Sequence, residues 1–250
     1  MRVLIVLACA LACSACMQEA VRFHAGPGQQ AIMRDGRPAL ISQKTSSLVM
    51  IRPALRQFPS GARPVFVVGI RNLTGAPLDF LLRNVAVTQT AGTAAVPMKV
   101  FSYEDLVAEE RTRQVVAALL VGAAAGANTA LASQAGYRRT TTTVHAPTGS
   151  YSYQTATYSP SAAVAGQRRA LRQNARVLNA AIKDGHASLA TLEREVIKDN
   201  TLMPGEWYGG TLHVQSPAHA EGATAPKRYS IAMMVGSERH DIDVLQDDVR

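Results

Sequence analysis

Beyond Cys16 the chain has no cysteine: Cys9, Cys13 and Cys16 are the only three, all within the first sixteen residues. The remainder therefore carries no disulfide and no thiolate site for zinc or redox work. A glycine-rich phosphate loop is missing, because Gly205–Gly210 precedes no helical pattern and lacks the lysine such a loop needs. No Gly-x-Ser-x-Gly elbow is present, which removes the common serine-hydrolase arrangement. Aromatic residues are 5% of the chain and charged residues 18%, against 47% apolar, so a core would be mostly aliphatic.

The histidines 24, 145, 186, 213, 219 and 240 are scattered. His213 and His219 flank a loop without a carboxylate at ligand spacing. In His240–Asp241–Ile242–Asp243, strand alternation puts His240 with Ile242 and the two aspartates on the opposite face. That separates the imidazole from its neighbouring carboxylates. Glu109–Glu110 and Glu193–Glu195 read as solvated helix faces. Trp207, the only tryptophan, reads as a core plug beside Tyr208. The sequence thus predicts no metal, no cofactor and no catalytic residue.

What is present is a β-rich body interrupted by a helical excursion. Ser47–Phe58, Pro64–Leu73, Leu78–Thr88, Ala94–Tyr103, Trp207–Val214, Tyr229–Val235 and His240–Leu245 are short and β-branched or alternating, with turn residues about every ten positions. Roughly seven such strands suit an immunoglobulin-like antiparallel β-sandwich, giving an α+β fold with a long inserted helical hairpin. The body is expected over 45–103 plus 203–246, and the insertion over 104–200. Residues 16–44, with Gly26, Pro27, Gly28, Gly36 and Pro38, read as a tether with one short strand near Ala31–Met33. The tail Asp247–Arg250 reads as loose.

The insertion opens with Ser102 as N-cap and Glu104 and Asp105 in the first helical turn. No charged residue lies between Gln114 and Tyr137, and Ala118, Gly122, Gly126 and Ala130 recur every four residues. On a helix that spacing makes a narrow small-residue stripe, the candidate contact surface of the protein. The tip, 137–159, holds Tyr137, Tyr151, Tyr153 and Tyr158, the pair Arg138–Arg139, and no acidic residue. It reads as a loop or weak hairpin. Ser159–Pro160 starts the return arm. From Leu171, apolar or small residues follow at spacings of 4, 3, 4, 3, 4, 3, 4: Ala175, Leu178, Ile182, Gly185, Leu189, Leu192 and Val196. Such a seam needs a partner, either the first arm or another copy of the chain.

At the N-terminus, Arg2, the apolar run Val3–Ala8 and small residues up to Cys16 make a secretory signal, assigned to 1–15. Small residues directly before a cysteine resemble the lipobox of bacterial lipoproteins, over residues 1–17. The resemblance implies cleavage before Cys16, or alternatively Cys13, and acylation of that residue. Such a protein is anchored to a membrane rather than spanning it. The piece Val68–Gly75 is also similar to a strand-and-turn element in sandwich domains of envelope lipoproteins. Met17–Gln18, lacking the aspartate that signals inner-membrane retention in some of that family, favours the outer membrane. The net charge is +8. With export, that charge points to an anionic surface or envelope polymer rather than nucleic acid. The expected function is a periplasm-facing, lipid-anchored binding, scaffold or assembly module, acting through the insertion on further copies or an envelope partner. The alternatives are a membrane-inserting or pore-forming glycine-zipper protein, with Val115–Tyr137 in the bilayer, and an envelope-polymer hydrolase.

Overall fold

The computed structural model describes residues 18–91, 94–218 and 226–249. The chain divides into two compact units. One comprises the described residues up to Leu106 and from Leu192 on; the other is Val107–Thr191. The fold is α+β, and its sheet ladders are antiparallel.

In the first unit, the strands in chain order are β1 (Gln18–His24), β2 (Gln29–Arg34), β3 (Arg37–Gln43), β4 (Ser47–Pro53), β5 (Phe58–Pro59), β6 (Val65–Asn72), β7 (Leu78–Ala91), β8 (Ala94–Met98) and β9 (Val100–Phe101). After the helical excursion come β12 (Asn200–Leu202), β13 (Trp207–Val214), β14 (Lys227–Val235) and β15 (Glu238–Asp248). They form a seven-stranded sheet in the order β12-β7-β14-β15-β1-β5, with β8 on β7, and a six-stranded sheet in the order β2-β3-β4-β6-β13-β9. Period-two alternation aims one side of each strand inward. Val49, Ile51, Phe66, Val68, Ile70 and Leu212 of the second sheet join Phe80, Val87, Ile231, Met233 and Ile242 of the first in one buried cluster. Phe66 meets Tyr229 edge-on across it, with ring centroids 6.5 Å apart.

The expected tether is the main departure. Residues 18–43 form three strands, and the body starts at residue 18 rather than 45. β1 pairs β15 along six positions, from Glu19↔Asp248 to His24↔Asp243, so Asp247 and Asp248 of the tail read as loose are also laddered. β2 and β3 form a hairpin across Asp35–Gly36, both with positive φ (52° and 70°). Asp-Gly is the dipeptide that a two-residue hairpin turn of this hand requires. Glycine and proline here punctuate strands instead of loosening them. The strand count accordingly exceeds the seven expected. The hairpin across Gly236–Ser237 forms as read, with Gly236 at φ 56°.

Trp207 also differs from expectation, being half-exposed rather than plugged into the core. Along β13 it is Tyr208, Leu212 and Val214 that pack inward. The indole lies against Gly69 on the neighbouring strand, under the Arg71 guanidinium at 5.7 Å. On the inward side of β13, a Cβ at Gly210 would sit 2.7 Å from Glu195 O and from Ile197 N. The segment after the second helix therefore crosses directly over this glycine. Gly210→Val is expected to cost about 2 kcal/mol, read as a fall in urea midpoint. An unchanged midpoint would show that 195–197 does not rest on β13.

The second unit holds most of two helices, α1 (Tyr103–Ser133) and α2 (Pro160–Glu195), and between them β10 (Tyr137–Ala146) and β11 (Gly149–Tyr158). Ser102 caps α1 as expected. Its Oγ accepts from Asp105 N at 3.1 Å, while Asp105 Oδ2 accepts from Ser102 N at 3.1 Å, a reciprocal capping box. The tip is a ten-pair antiparallel hairpin, exposed along β11, with the Tyr137 and Tyr158 rings 4.9 Å apart.

Candidate functional site

The two helices touch each other through small and amide residues. Gln114 Nε2 donates to Gly185 O at 3.1 Å, and a Cβ at Gly185 would meet the Gln114 side chain at 2.9 Å. Midway, Asn128 and Asn174 pair at 3.2 Å, and Asn174 Nδ2 also donates to Ala125 O at 3.2 Å. Near the tip, a Cβ at Gly166 would fall 2.6 Å from Ala135 Cβ, and Ala132, Ala163 and Ala170 are buried. From Gln114 on, residues 114, 121, 125, 128 and 132 are the inward positions of α1, a heptad-like spacing written in glutamine, valine, alanine and asparagine.

This pairing is not the one the apolar periodicity suggests. Leu171, Leu178 and Ile182 of the expected seam are 62%, 45% and 51% exposed, and only Gly185 of that seam is buried in α2. The stripe of Ala118, Gly122, Gly126 and Ala130 does not hold the second arm either. A Cβ at Gly122 or Gly126 would have no atom within 4 Å beyond its own stretch of helix. Small inner residues win because they let the two backbones approach, whereas a leucine seam would hold them apart. The consequence is a face left open: Ala118 and Val115 share a groove with Leu178, Ile182 and Leu189. Farther round α1, Val116, Leu119, Leu120 and Leu131 are exposed as well. α1 is the one helix among the described residues long and apolar enough to cross a membrane, and 6% of its most apolar window is buried. An α-helix apolar on all sides is ordinarily covered by protein or lipid.

Two polar clusters lie inside the first unit. Glu19 and Lys227 form a buried ion pair at 2.7 Å, with side chains 1% and 3% exposed. Ser60 Oγ and Gly61 N also donate to Glu19 Oε1, at 2.5 and 3.3 Å, and Gln246 Nε2 donates to Oε2. Burial pushes the Glu19 carboxyl up; the hydrogen bonds from Lys227, Ser60 and Gln246 and the lysine charge outweigh it and bring it from 4.5 to about 2. Burial and the Glu19 charge push the Tyr229 phenol up. Strand alternation held the signal: Glu19 shares a face with Val21, and Lys227 with Tyr229 and Ile231.

The second cluster surrounds His240, which is fully buried beside Ile242 as the alternation implied. Its Nδ1 lies 2.9 Å from Ser42 Oγ and its Nε2 2.8 Å from Ser47 Oγ. Ser47 Oγ donates to Glu238 Oε2 at 2.6 Å, so Nε2 must carry the hydrogen and donate to Ser47. That direction is the reverse of a general base taking a hydroxyl proton. Burial lowers the His240 pKa, with Lys44 adding to the fall and Glu238 and Asp241 opposing it. A histidine held below its ordinary 6.5 contributes stability above that pH, and the contribution is lost as pH falls through the folded value. His240→Gln is expected to flatten the loss of stability below pH 6.5, measured by urea unfolding across pH; an unaltered slope would show that His240 does not set it.

Cys16 and Cys13, the lipidation candidates, and His219 lie outside the described residues. Among the described residues, no group of three or more His, Cys, Asp or Glu is placed to hold a metal. No protein-family model, curated protein or solved structure matches the chain.

Proposed function

We propose that the chain is a lipid-anchored, periplasm-facing envelope protein, bound through acylated Cys16 (or Cys13), that acts without catalysis as an assembly module. Its helical hairpin associates with further copies of the chain through the open face. The observation that carries this is the pairing of opposites on that face: bare Gly122 and Gly126 on α1, exposed Leu171, Leu178 and Ile182 on α2. Small residues on one helix accept large ones from a neighbour, and the same face repeated on a second copy is self-complementary. With Cys16 as the anchor, only Met17 precedes β1, so the β body sits at the bilayer surface rather than on a long tether. We also read the two-sheet body as an immunoglobulin-like sandwich, supported by its antiparallel pairings and single shared core. Native mass spectrometry of the chain from Met17 onward tests the assembly. A defined multimer is expected; a monomer at micromolar concentration sinks the proposal.

A second reading, insertion of α1 into the bilayer, is favoured by its length, apolarity and slight burial. Leu119→Cys would report on it, since the chain from Met17 has no other thiol. Protection from a water-soluble maleimide in vesicles supports insertion, and full labelling opposes it.

A further inference from the structure

We infer that the hairpin unit makes a second membrane contact, independent of any acyl chain, by laying an arginine face on an anionic lipid bilayer. From Arg111 to Lys183 the chain has nine basic residues and no Asp or Glu. Over the whole unit Val107–Thr191, with Glu109, Glu110 and Asp184 counted, the net charge is +6, against +2 for the rest of the chain. A compositional bias toward arginine would have spread it over both units.

Arg168, Arg169, Arg172 and Arg176 lie at helical spacings of three and four on α2, lining one shallow recess with Val164. Like charges at that spacing oppose helix formation unless a counter-charge is supplied. None of the ion pairs among the described residues involves them. Next to this helix start, β10 and β11 add Arg138 and Arg139, with Tyr137, Tyr151, Tyr153 and Tyr158 exposed. Arginines with exposed tyrosines and aliphatics match a bilayer interface, where anionic headgroups meet hydrocarbon. A soluble polyanion would not use the apolar groups. Helical spacing sets Arg169, Arg172 and Arg176 roughly 100° or more round α2 from the side that carries Leu171 and Leu178, with Arg168 and Val164 at the border, so self-association and lipid contact can occur together.

The chain from Met17 onward, unacylated, is mixed with phosphatidylcholine vesicles with and without about one third phosphatidylglycerol. It is expected to float with the anionic vesicles only, and to be released by about 0.5 M salt. Replacing the four α2 arginines by glutamine should lower partitioning roughly 100-fold, whereas replacing them by lysine should retain most of it. Equal flotation on both vesicle types, no flotation, or binding to soluble polyphosphate without flotation overturns the inference. If the glutamine variant fails to fold, the lipid and salt dependence of the native chain still decides. Self-association is read separately by native mass spectrometry, so either idea can fail alone.

Discussion

Gly122→Leu combined with Gly126→Leu is expected to leave the folded chain intact and to abolish its self-association. At neither glycine would a Cβ come within 4 Å of an atom beyond its own stretch of helix, so the new side chains start from open space. Leucine is also the better helix former, by about 0.8 kcal/mol per site, so thermal stability of α1 should rise. Against a second copy the same change fills the stripe that lets backbones approach, and the association constant should fall roughly 100-fold. Gly166→Leu is the control with the opposite signature. Ala135 Cβ lies 2.6 Å from the added Cβ there, so the two arms must separate and helical stability should drop. Circular dichroism with native mass spectrometry distinguishes the two. If the double variant keeps the native copy number, the open face is not the contact surface.

Lys227→Met is expected to destabilise the body by about 3–5 kcal/mol, because it strands the Glu19 carboxylate in the core with its cation removed. Ser60, Gly61 and Gln246 would still donate to the carboxylate, which places the effect at the lower end. The pH dependence has a definite sign. Glu19 has its folded pKa depressed to about 2 from 4.5, so its contribution is complete above pH 4.5 and is lost as pH falls toward 2. The shift corresponds to about 3 kcal/mol at neutral pH. Removing the lysine removes the strongest lowering partner, so the window of acid loss should move upward. Glu19→Gln with Lys227→Met should recover part of the cost, since no buried charge remains. Equilibrium urea unfolding between pH 2 and pH 7 would measure all three, a range chosen to bracket both carboxyl values. A single-variant cost below about 1 kcal/mol would mean that the pair does not hold β1 to β14 and β15.

Local chemistry was legible where it acts on near neighbours. The Ser102 cap, the Ser159–Pro160 start of α2, the Gly236 hairpin and the inward side of β15 all follow from steric and hydrogen-bond rules spanning a few residues. The Asp35–Gly36 hairpin was equally available, but three glycines and two prolines around it read as looseness. β1 was hidden for another reason. Its pairing partner is β15, more than two hundred residues away, and no local pattern tells a strand with a distant partner from a short polar segment. The Glu19–Lys227 pair was invisible for the same reason, since each charge alone looks like an edge residue.

The amino-acid pattern by itself determined that two helices flank a tyrosine-rich tip and that the flanking segments are strands. Each of these is a property of residues within a turn or two of one another. Tertiary structure alone decided which faces of the helices meet. Both a leucine seam and a small-residue stripe were on offer, and apart from Gly185 of the seam the arms closed through neither, using alanine, glycine and asparagine positions that allow the nearest backbone approach. Periodicity states that a face is apolar; only packing shows whether its partner lies within the chain, and here that face is left open.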